Sequence, residues 1–127
     1  MDILDMVYDA LIAETYIKDN AEGRIKFYEY PETGDVSGVF VVIDPVDPPT
    51  PIDFADNKWT KLDYYLQIDV WSRDLKLTDS IADKIRDVIW NQFGFRQTAG
   101  PKEYDQGVFR DARRYRGSLY IEDFNNL

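Results

Sequence analysis

The chain has 127 residues, enough for one domain with a real core and too few for two ordinary ones. A hydrophobic share of 44% and an aromatic share of 15% exclude a disordered or low-complexity chain. Twenty-four acidic and 15 basic residues give a formal charge of -9, which opposes nonspecific binding to phosphates. The longest apolar run, residues 39–43, is far shorter than a membrane span. We therefore expect a single soluble domain over residues 1–127, without membrane contact.

The first half of the chain predicts one helix and then two strands. Asp2 can cap a helix, and apolar residues recur at helical spacing until about Ile17. Residues 24–30 alternate between polar and apolar, which indicates a strand. Residues 39–43 are β-branched or aromatic throughout, which favours a central strand.

The second half predicts two long strands around a second helix. Residues 60–72 alternate without a break, and a strand of that length spans roughly 43 Å. Thr78 is expected to cap the helix, and Gly94 to end it in a left-handed conformation. A short strand is predicted at 95–97 and a long one at 108–120. This order, α-β-β-β-α-β(β), predicts an α+β domain with two helices on one face of a largely antiparallel sheet.

Residues 44–57 form a segment rich in proline and aspartate. Its four prolines forbid a helix or an interior strand and favour an extended loop. We expect this loop to cross the body as an extended arm, ordered either in itself or by a partner, with Ile52 and Phe54 as its apolar anchors. The segment contains four acids, Asp44, Asp47, Asp53 and Asp56, which could instead bind Ca²⁺ or Mg²⁺. Their spacing matches no EF-hand, so a solvated acidic loop is favoured over a metal site.

Charge is unevenly distributed along the chain. Residues 1–57 contain 13 acidic and three basic residues, whereas residues 58–127 contain 11 and 12. Two explanations fit this split equally well. It can arise by chance on solvated surfaces, or it can give the molecule surfaces of opposite charge that bind other copies of the chain.

Three arginines, Arg110, Arg114 and Arg116, share one face of the last predicted strand. They could bind nucleic acid, but the overall charge favours ion pairs with Asp63, Asp69 or the 44–56 acids of a neighbouring copy. Aromatic residues and arginine are enriched where protein interfaces are strongest. Trp71, on the polar face of the first long strand, is therefore a further interface candidate.

Enzymatic chemistry is poorly supported by the composition. The chain has neither histidine nor cysteine, and it lacks the common phosphate-binding and nucleophile motifs. We expect a protein that is not an enzyme and uses no cofactor and no metal. The alternative from another class is a small carboxylate enzyme or metal-binding regulator, which requires a pocket lined by the 44–56 acids.

Seven stretches of the chain together form a recognisable pattern: Asp2-Ile-Leu-Asp5, Gly23-Arg-Ile-Lys-Phe-Tyr-Glu-Tyr-Pro31, Ile43-Asp-Pro-Val-Asp-Pro-Pro49, Asp56-Asn-Lys-Trp59, Gln67-Ile-Asp-Val-Trp-Ser72, Ile81-Ala-Asp-Lys-Ile-Arg86 and Arg114-Tyr-Arg-Gly117. In these stretches the chain resembles a family of small siphophage tail proteins from phages and prophages of Gram-positive bacteria. The resemblance implies a tail terminator or tail completion protein, for which no catalytic residues are expected.

Such a protein is expected to form a hexameric ring that caps the tail tube. Its implied partners are further copies of itself, the tail tube protein and the head–tail connector or stopper protein. DNA would pass through the lumen without specific binding, and the location would be the head-proximal end of the virion tail after assembly in the host cytoplasm. Another neck, stopper or minor tail protein is the nearest alternative.

Overall fold

The computed structural model describes residues 2–32, 34, 36–56 and 58–120. Within these residues, three helices and seven strands occur, with the following bounds: α1 (Ile3–Ile12), α2 (Thr15–Ala21), β1 (Ile25–Phe27), β2 (Phe40–Pro45), β3 (Thr50–Ala55), β4 (Lys58–Ser72), α3 (Leu75–Phe93), β5 (Arg96–Thr98), β6 (Lys102–Asp105) and β7 (Val108–Tyr120). The strands form one sheet in the order β1-β2-β4-β7-β5, with β3 added to β4 and β6 to β7. Only β1 and β2, among the pairs described, run parallel. The predicted α+β class with a largely antiparallel sheet is confirmed.

The helices cover one face of the sheet. α3 packs across β4 and β7, and α1 and α2 pack against α3. Their apolar side chains join those of the strands in one core, which includes Leu11, Ile17, Leu66, Ile68, Ile85 and Tyr115.

The prediction of a single N-terminal helix is wrong. α1 ends at Ile12, and α2 begins after Glu14, whose carboxylate accepts a hydrogen bond from the backbone N–H of Ile17 at 3.1 Å. This cap starts a new helix direction and brings Ile17 into the core, where it is fully buried.

The predicted cap of the long helix is also wrong. Asp74 caps α3 by accepting a hydrogen bond from the N–H of Leu77 at 3.1 Å. Thr78 is instead buried in the first turn, where its hydroxyl lies 2.6 Å from that of Ser72. The end of the helix is as predicted, because Gly94 has a left-handed φ of 69°.

The predicted loop over residues 44–57 is largely a strand. β2 continues to Pro45, and β3 pairs with the first part of β4. β3 is held chiefly by β4, so it is an edge strand, and proline is tolerated there because one side of the strand needs no ladder hydrogen bonds. We call β3 with its paired β4 residues 58–63 the arm.

The long strand β4 organises the sheet. Its 15 residues pair with β2 and β3 along one side and with β7 along the other. Lys61 shows this directly, since it pairs with both Ile52 of β3 and Tyr120 of β7. None of the helices in the described ranges is long and apolar enough to cross a membrane.

Candidate interaction face

The two faces of the central strands differ in character. Even-numbered β4 residues such as Leu66 and Ile68 point into the core beneath the helices. Odd-numbered β4 residues and their even-numbered β7 partners occupy the opposite face, which we call the outer face. Its side chains are mostly polar or aromatic and include Asp63, Tyr65, Gln67, Asp69, Trp71, Arg110, Arg114, Arg116 and Ser118.

Arg110, at one end of the outer face, contacts several of its side chains. Its Nη2 and Nε lie 2.7 and 2.8 Å from Oδ2 of Asp69, a side chain that is only 1% exposed. The guanidinium carbon also lies 5.1 Å from the ring centre of Trp71 and 5.6 Å from that of Tyr30. Gln67 completes the group by donating a hydrogen bond to Oδ1 of Asp69 at 2.9 Å. The predicted pairing of Arg110 with Asp69 is confirmed.

The other two arginines are held less tightly. Arg114 donates a hydrogen bond from Nε to Oε1 of Gln67 at 3.0 Å, so within the chain its partner is an amide, and its pairing with a carboxylate of a neighbouring copy stays a prediction. Arg116 lies over the ring of Tyr65 at 4.3 Å. Its contacts with carboxylates are long, at 3.8 Å to Asp63 and 4.0 Å to Asp47. Of these three arginines, Arg110 therefore has the closest contact with a carboxylate.

Asp44 adds a second carboxylate beside this group. It pairs with Gln67 across β2 and β4, which places it on the outer face, and it accepts a hydrogen bond from the Tyr30 hydroxyl. Partial burial and the nearby charge of Asp69 raise the pKa of Asp44 above its ordinary value. Ionisation of Asp44 is thus less favourable in the fold than in a solvent-exposed aspartate.

The outer face has hydrogen-bonding capacity left over. The buried side-chain polar atoms without a hydrogen-bond partner, among the residues described, are Asp44 Oδ1, Trp71 Nε1 and Arg116 Nε. All three belong to this face, and such atoms are rare elsewhere because leaving one unpaired costs about 1–3 kcal/mol. The face therefore contains buried polar groups that the fold leaves without a hydrogen bond.

The arm carries the other predicted residues. Ile52 is half-buried, but Phe54 is 67% exposed, which is unusual for a large apolar side chain. Asp53 pairs with Lys61 at 3.0 Å, and Asp56 is exposed near the tip. Nowhere in the described ranges do three or more potential metal ligands come together, so the four aspartates of 44–57 do not converge there.

Sequence reasoning missed a groove beside β5. Trp90 is 58% exposed on α3, and with the buried Phe95 it forms the apolar part of a groove of about 350 Å³. Charged residues border it, namely Arg86, Asp87 and Arg96. The sequence did contain a signal for it. Trp90 does not belong to the buried helical stripe of Ile81, Ile85 and Ile89, so this aromatic residue is expected to face solvent. We call this the β5 groove.

Comparison with known proteins gives a likeness in fold. No family model and no curated protein matches the chain. Among solved structures, one chain from the "Virion of native gene transfer agent (GTA) particle" has a similar fold, with a TM-score of 0.66 and 13% sequence identity. The similarity covers 90% of this chain and 91% of that chain. At this identity the two chains share a fold over nearly their whole lengths.

Proposed function

We propose that the chain is a structural protein of a phage or phage-like virion, and that it caps the tail tube as a ring of six copies. The observation that carries the proposal is the fold shared with a chain of a gene transfer agent virion over nine-tenths of both molecules. A fold alone does not fix a function. The stretches that resemble tail terminator proteins, residues 23–31 and 43–49 among them, supply the more specific role.

The surface supports assembly with other proteins more than catalysis. The outer face offers a row of arginines, and the arm offers an exposed Phe54. In this proposal these surfaces contact further copies, the tail tube protein and the head–tail connector, at the head-proximal end of the tail. The net charge of -9 would let DNA pass through the ring without adhering to it.

Deletion of the gene from its phage or prophage tests the proposal. We expect tails of uncontrolled length that fail to join heads, with both defects restored by the gene supplied in trans. Normal virions from the deletion strain would refute it. If the protein co-purifies with the portal complex and not with tail tubes, the neck or stopper alternative is correct.

The arm gives a residue-level test with an internal control. Phe54→Ser should leave the subunit folded, because the side chain is 67% exposed, while it reduces incorporation into tails. Tyr104→Ser removes an aromatic side chain with a similar exposure of 64% from β6 and should leave incorporation unchanged. Equal incorporation of the two variants would remove the arm from the interface.

A further inference from the structure

We propose that the arm of one copy binds the β5 groove of a second copy of this chain. The inference deepens the proposed ring by naming the two surfaces that join its subunits. It requires only that copies of the chain meet, so it can fail independently of the role in the tail.

The position of the two surfaces in the sheet supports this contact. β3 lies on one side of β4, and β7 lies on the other. β5 is beyond β7 in the strand order, so the arm and the groove occupy opposite edges of the sheet. Contacts between two different surfaces of identical subunits are head-to-tail, and such contacts form rings when the rotation closes.

The chemistry of the arm fits the groove. Phe54 on the arm and Trp90 in the groove are both large, mostly exposed side chains, and each lacks the cover that apolar surface of this size usually finds. Phe54 is separated from the groove by the width of the sheet within one subunit. A second copy can bring the two aromatic side chains together and remove both from water.

Charge at the β5 edge supports the same occupant. Arg96 stands directly opposite Arg116 across β5 and β7, and like charges in that position repel. Arg96 forms no ion pair with any residue that the structure describes, and the carboxylates near Arg116 lie at 3.8 Å or more. Along the arm, Lys58 and Lys61 balance Asp53 and Asp63, and Asp56 is exposed in the turn at its tip. Asp53 is already paired with Lys61, so Asp56 is the carboxylate available to Arg96.

Charge also excludes a competing site for the arm. A smaller groove of about 200 Å³ lies beside the start of α1, where Ile3 and Tyr64 provide apolar surface. Its charged residues are Asp2 and Asp47, which would repel the exposed carboxylate of Asp56. The β5 groove is thus the better match.

Engineered cysteines test the contact cleanly, because the chain has no cysteine of its own. Subunits with Asp56→Cys and subunits with Arg96→Cys are mixed, allowed to assemble into oligomers or onto isolated tails, and then oxidised. We expect a disulfide-linked dimer. The matched control replaces Arg96→Cys by Asp105→Cys, at an exposed position on β6, and should give at least tenfold less dimer.

Exchanging the two charges provides a second test of the contact. Asp56→Lys and Arg96→Glu should each weaken association at least tenfold, and the two together should restore it. Trp90→Ala should weaken it without unfolding the subunit. The proposal is overturned if the dimer yield equals that of the control, if Trp90→Ala associates normally, or if the wild-type chain does not self-associate and the cysteine variants do not cross-link on tails. Virions that need the chain but show no 56–96 cross-link would refute only this contact.

Discussion

Arg110 should be among the most important side chains for stability, because it neutralises a carboxylate that has almost no access to water. Asp69 is 1% exposed and lies 2.7 Å from Arg110, whose own side chain is 23% exposed. Removing one partner of a buried ion pair costs about 3–5 kcal/mol, since a buried charge is left without compensation. We expect the lower end, about 3 kcal/mol, for Arg110→Met because the arginine is partly solvated. That loss lowers the folding equilibrium constant by a factor on the order of one hundred.

Urea unfolding at pH 7, followed by tryptophan fluorescence and far-UV circular dichroism, measures this loss. Adding Asp69→Asn to Arg110→Met should recover part of the stability, because the double variant buries no unpaired charge. Arg86→Met is the control: Arg86 contacts Asp83 and Asp87 at 3.3 and 3.1 Å, but all three side chains are well exposed. It should cost less than about 1 kcal/mol. If Arg110→Met is as stable as the control, the reasoning is refuted.

Three further substitutions test other parts of the fold. Asp44→Asn should raise the melting temperature at pH 7, because a pKa raised in the fold penalises the ionised form at high pH; the gain should vanish as the pH falls below 3.8, and a lower melting temperature at pH 7 would contradict it. Gly117→Ala should cost about 1–3 kcal/mol in urea unfolding, since the added Cβ would lie 2.3 Å from Cδ1 of the fully buried Phe95. Gly94→Ala should cost about 1 kcal/mol by the same measurement because φ is 69°, and an unchanged midpoint would show that α3 ends without strain.

The long elements could be predicted from sequence because their periodicity extends over many residues. The strand predicted at 108–120 has those bounds, and the alternation of 60–72 belongs to the longer β4. Short elements were lost where one local contact decides the structure. The N-terminal helix is interrupted where the side chain of Glu14 caps α2, and the hydrophobic pattern does not indicate this interruption. β3 was missed because its prolines conceal an edge strand, which only its pairing with β4 reveals.

For the candidate site, sequence could place residues on a face but could not supply their partners. The shared face of Arg110, Arg114 and Arg116 follows from alternation alone, and so does the outward position of Trp71. The burial of Asp69 and the contact of Tyr30 with Arg110 depend on how separate strands align. Alignment is a long-range property, and a single sequence carries little information about it.

The ladder between β4 and β7 also sets an order of folding. It runs from the pair Lys61–Tyr120 to the pair Ser72–Phe109. Because α3 lies between β4 and β7 in the sequence, the ladder can form only after α3 has been synthesised. Pairings between distant residues form slowly, whereas a hairpin of neighbouring residues, such as β3 with the start of β4, can form in microseconds. The β5 groove depends on β7, because β5 has its strand partner there. In the proposed contact, a subunit being synthesised therefore forms its arm before it forms its β5 groove. A chain truncated before β7 would have the arm but no groove to bind the arm of another copy.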